Sequence, residues 1–174
     1  MPTTTKDPLL SLARVVLVGL LGLHGFAIVM VAIGIGAVLT IQRGELETDI
    51  VEAGLASASY WVVVAGLFGV LCVLILALRF VVELRRIVAS VELGDPFVPE
   101  NADRLVRMAW AALAIQVLGL MLASAHEHLG TVADEGAELL GASGGGFALA
   151  LTLFVLARVF RIGTAMRAEL EGTV

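Results

Sequence analysis

Two side chains with chemical potential lie inside long uncharged stretches of this chain. His24 falls nine residues beyond Val15, where one such stretch begins, and Gln116 falls eight residues beyond Met108, where another begins. At a helical rise of about 1.5 Å per residue, these positions are ~13 Å and ~12 Å along their segments. If both helices enter an apolar layer from the same side, imidazole and amide share a level. A hydrogen bond between them would contribute ~0.6–2 kcal/mol. An ionisable group in such a place reads either as a proton-sensitive or ligand-binding polar centre or as neutral packing glue; the second is the simpler expectation.

The remaining histidines sit elsewhere. His126, Glu127 and His128 precede Asp134, Glu135 and Glu138, an acidic cluster that contains metal-ligand types. Positions i and i+2 of a helix do not face each other, so a solvated acidic loop is expected there and no metal. A bis-histidine haem needs two imidazoles at one level, and His126 and His128 stand at the far end of their segment from the level of His24. No cofactor is therefore expected. Nucleotide loops, nucleophile triads and paired carboxylates do not occur in the sequence, so no enzymatic activity is expected. Cys72 is the single cysteine and excludes an intrachain disulfide.

The elements that must position these residues follow from composition. The 174 residues are 59% hydrophobic and 16% charged, whereas a soluble domain carries about a quarter charged residues. Four uncharged runs, 15–41, 55–78, 108–126 and 139–157, are each long enough for a hydrocarbon core that takes roughly 20 helical residues to cross. Lipid offers backbone amides no partner, so these runs must be helices. The expected architecture is all-α, a polytopic membrane four-helix bundle forming one domain over residues 1–174. The first run is about twice the length of a signal-peptide core and reads as a retained span.

The runs differ in strength. Sixteen Leu, Ile, Val or Phe residues in the first contribute roughly −5 to −10 kcal/mol to insertion, while six in the third contribute roughly −2 to −4. The third and fourth helices are therefore expected to need packing against the first two. Gly19, Gly22 and Gly25, then Ala65 with Gly69, and Gly141 with Gly145, have spacings that let helices approach closely. Packing within the bundle is the expected use; a homo-oligomer through these faces is the alternative.

Ten of the eleven basic residues lie in the N-terminal segment, the loop 79–107 and the tail, and only Arg43 lies on the other side. The positive-inside rule places both termini and that loop in the cytoplasm of a cell membrane. Loop 79–107 is itself helical in pattern, with Phe80, Leu84, Ile87 and Val91 on one face. Gly94 suits a C-terminal cap, Asp95-Pro96 a turn, and Pro99 a new first turn followed by Glu100 and Asp103 near the helix dipole. An extended cytoplasmic helical hairpin between spans two and three is the result.

The stretch GDPFVPENADRL (94–105) and the tail FRIGTAMRAELEGTV (160–174) resemble the signatures of a bacterial membrane family catalogued as domain of unknown function 2975. Ile162-Gly163 stands where members typically have a basic residue before the glycine. The resemblance implies four spans and no assigned activity. It also implies a cytosolic protein partner, since members often neighbour a small helix-turn-helix regulator. Gly94, Asp95, Pro96, Phe97, Asn101 and Arg104 are the candidate partner-binding residues of the hairpin. The expected function is thus non-enzymatic action on a protein partner, without direct nucleic-acid binding. The alternative is a small-solute transporter or channel component built on His24 and Gln116.

Overall fold

A computed structural model describes residues 8–128 and 145–171. Every long segment in it is helical: α1 Pro8–Thr40, α2 Arg43–Glu52, α3 Ser59–Glu92, α4 Pro99–His128 and α5 Gly145–Glu171. Of these, α1, α3, α4 and α5 are long and apolar enough to cross a membrane. With 34 residues, α3 is about 50 Å long, some 20 Å more than the hydrocarbon core. As expected from the pattern of loop 79–107, it continues well past the uncharged run, and α4 restarts at Pro99. The acidic segment after the first run holds a helix, α2, which charge counting alone did not reveal.

The long helices pack in chain order: α1 on α3, α3 on α4, α4 on α5. No Cα atom of α1 comes within 8 Å of one in α4 or α5. The four long helices of the expected all-α membrane architecture are arranged as an open row. Lipid tails are as apolar as leucine, so no hydrophobic force closes the row, and unpaired apolar faces are tolerated.

Burial concentrates on α4. The third apolar helix, α4, lies between two neighbours, and Ala102, Leu105, Met108, Ala109, Ala112 and Gln116 are buried on it. Leu105, Met108, Ala109 and Ala112 join Ala150, Leu153 and Ala157 of α5, with Phe80, Leu84, Ile87 and Phe160 packed around them. The alanines bring the two backbones close, where dispersion and not water drives association. The span with the fewest aliphatic side chains is therefore the most enclosed. The fourth leans on the third, not on the first two.

Glycine positions sort likewise. A Cβ on Gly69 would lie 2.8 Å from Leu122 Cδ2, so this glycine marks close approach of α3 and α4. Gly19, Gly22 and Gly25 have nothing within 4 Å of a built Cβ, which corrects their expected role in packing within the chain. Gly141 lies outside the described residues. At the other end of α1, Ile50, Tyr60 and Val64 form a small core with Val38, Leu46 and Leu55. Tyr60 donates from its hydroxyl to Val38 O at 3.4 Å, and the Arg43 guanidinium lies 5.5 Å from the Tyr60 ring centroid.

Candidate functional site: the hairpin and the last helix

The hairpin turn begins with a helix stop. Gly94 has φ +84°, the left-handed conformation that glycine adopts without a Cβ penalty. Its amide donates to Val91 O at 3.0 Å, and that of Asp95 donates to Ser90 O at 3.2 Å. These are the two bonds of a Schellman motif, which occupy carbonyls left open by the last turn of α3.

Asn101 then ties the turn together. It is fully buried. Its Nδ2 donates to Ser90 Oγ at 2.7 Å and to Pro96 O at 2.9 Å, and its Oδ1 accepts from Arg104 Nη1 at 2.7 Å. One amide thereby links the end of α3, the turn and the first turn of α4. Arg104 also reaches Arg86 O at 3.4 Å.

The other half of the site comes from α5. The Phe97 ring sits on Gly163, where an added Cβ would lie 3.1 Å from two ring carbons. Its centroid is 5.4 Å from that of Phe160. Phe97 O accepts from Thr164 Oγ1 at 3.2 Å. Asp95 pairs with Arg167 at 2.5 Å and Asp103 with Arg161 at 3.3 Å. The two stretches that carried the family resemblance are therefore each other's partners. Asp95, Phe97, Asn101 and Arg104 spend their polar groups, or in the case of Phe97 one ring face, within the chain. Pro96 contributes its carbonyl and Gly94 its backbone conformation. Of the six candidate partner-binding residues, Asn101 is buried, while Gly94 and Phe97 remain exposed beside these internal contacts.

One turn further along the pair, Glu83 accepts from Arg107 at 2.9 and 3.2 Å, and Arg86 approaches the same carboxylate at 3.3 Å. Glu83 lies beyond the uncharged run 55–78. The hydrogen bond from Arg107 holds its carboxyl below the usual carboxylate range, and the same bond raises Arg107. Arg14 of α1 pairs with Glu92 at the end of α3. Five ion pairs, counting Glu83 with each of its two arginines, thus gather at this end of the described helices, and Arg43–Glu47 lies at the other.

His24 and Gln116 are not brought together. His24 Nδ1 donates to Leu20 O of its own helix at 2.8 Å. Gln116, 3% exposed, accepts at Oε1 from the Gly146 amide at 3.0 Å. Equal depth could not reveal that α3 stands between their helices: among the described residues α1 contacts only α2 and α3. The amide of Gly146 belongs to the first turn of α5, whose N–H groups have no partner within the helix, and Gln116 serves as an inter-helix cap. A sequence signal did exist, since a lone amide facing a glycine-rich helix start suits that role. The side chains of His126 and His128, and residues 134–138, lie outside the described residues.

Four helices of spanning length and composition define a multi-pass membrane protein. The family described as Protein of unknown function (DUF2975) matches residues 15–174, and the chain belongs to it. No curated protein and no solved structure matches the chain.

Proposed function

We propose that this is a non-enzymatic protein of the cell membrane whose hairpin and last helix form a cytoplasmic platform for a protein partner. The observation that carries this reading is the apolar surface left beside the locked turn. Val159, Ile162 and Met166, at i, i+3 and i+7 of α5, are 54%, 48% and 61% exposed, and Leu93 of the turn is 87% exposed. Ile162 and Met166 lie beyond the uncharged run 139–157, on the turns of α5 that dock against the hairpin. An apolar strip on a helix held rigidly by Phe97 and Asn101 suits an amphipathic partner segment, because pre-organisation lowers the ordering cost of binding. The excess of basic residues at this end supports its cytoplasmic placement. A small helix-turn-helix regulator is the partner class the family relationship suggests.

The test is site-specific photo-crosslinking in cells. A crosslinker at Met166 should capture one defined cytosolic protein, and the purified partner should bind the wild-type chain and lose that binding to Ile162→Ser/Met166→Ser. A crosslinker at Thr48, on α2, serves as control. Capture of the same products from both positions, or unchanged binding by the double variant, refutes the platform.

A further inference from the structure

A groove of about 790 Å³ opens between α3 and α4 next to the Glu83–Arg107 pair. Arg79, Glu83 and Arg86 stand at i, i+4 and i+7 and share one face of α3. Arg107, Trp110 and Ala114, at i, i+3 and i+7, share one face of α4. All six line the groove. The Glu83–Arg107 bonds fix the register of the antiparallel pair, so Arg79 lies one turn closer to the uncharged spans, near the level of Trp110. Arg86 lies on the opposite side of Glu83, near Arg104, which reaches its carbonyl. Two guanidiniums thus hold one carboxylate, while Arg79 lines the same groove and makes no ion pair among the described residues.

The groove does not end at the arginines. It continues along Leu76 and Ala114, each inside an uncharged run, while Trp110 is 59% exposed at the boundary. A soluble anion would use only the basic end. A molecule with a phosphate head and apolar tails would use both, with the head on the arginines and a chain along Leu76 and Ala114. Basic pockets between transmembrane helices at a membrane boundary select anionic headgroups, and arginine suits phosphate because its planar fork donates two parallel bonds.

We propose that this groove is a binding site for one anionic phospholipid, its phosphodiester held by Arg79, Arg86 and Arg107. Glu83 orients Arg107 and keeps the site from being uniformly basic.

Native mass spectrometry of the full-length chain in detergent, titrated with phosphatidylglycerol or phosphatidylcholine, tests the assignment. One phosphatidylglycerol should bind in preference to phosphatidylcholine, and each guanidinium removed should weaken that preference about fivefold. Arg79→Gln and Arg79→Gln/Arg86→Gln keep the Glu83–Arg107 pair. Arg85→Gln, on another face of α3, should leave the preference intact. Equal binding of the two lipids by the wild type overturns the proposal whatever the variants do, and so does an unchanged preference in folded Arg79→Gln. Inorganic phosphate should not displace the lipid at millimolar concentration; full displacement would assign the arginines to a free anion.

Discussion

At the scale of single residues, Gln116 and His24 show what depth in a segment does and does not say. Their levels could be read from the sequence, and so could the need of a polar group in lipid for a partner. Which partner each takes depends on helix order in space, which spacing along the chain does not encode. Gln116 caps the first turn of α5, and His24 returns to its own helix. Gln116→Ala leaves the Gly146 amide without this acceptor. Unfolding in mixed micelles should show a loss of ~1–2 kcal/mol, above the ~0.6 kcal/mol average for inter-helix bonds because an apolar setting strands the donor. His24→Ala and Gln116→Ala combined should give the sum of the single effects to within about 0.5 kcal/mol. A larger coupling would show that the two groups communicate.

At the scale of elements, the long helices were legible because lipid leaves the backbone no alternative. The stop at Gly94 was legible because few residues tolerate its conformation. The short helix α2 was not, since ten largely polar residues carry no span signal. The docking of α5 on the hairpin was also hidden. Gly163 looks like one glycine among nineteen until Phe97 is seen lying 3.1 Å from where its Cβ would be. The exposed ion pairs around that contact contribute ~0–1 kcal/mol each. Gly163→Val must push the Phe97 ring away, at an overpacking cost of ~1–3 kcal/mol. Trypsin should then cut at Arg161 or Arg167 about fivefold faster or more, while Asp95→Asn alone changes the rate little. Equal cleavage of Gly163→Val and wild type would place the holding energy elsewhere.

At the scale of the whole molecule, the distribution of arginines argues for one orientation and the structure for which ends move together. Arg14, the hairpin and the tail converge on one end through Arg14–Glu92, Asp103–Arg161 and Asp95–Arg167, whereas α2 packs at the other end against Tyr60. In a Cys72→Ser background, a membrane-impermeant maleimide applied to intact cells should label Thr48→Cys and should label Glu100→Cys only after permeabilisation. The reverse pattern would invert the protein and with it the cytoplasmic assignment of the platform.

Because each long helix packs on the one made just before it, the row can be built in the order of synthesis. The strongly apolar α1 and α3 leave the ribosome first and pair locally. When α4 emerges, with fewer aliphatic side chains than either, α3 already stands beside it as a surface to join. Then α5 arrives last and covers Gln116, and the docking of its final turns under Phe97 completes assembly. No helix has to wait for a distant neighbour, so a chain with two weak spans can be accepted by the membrane without a late rearrangement.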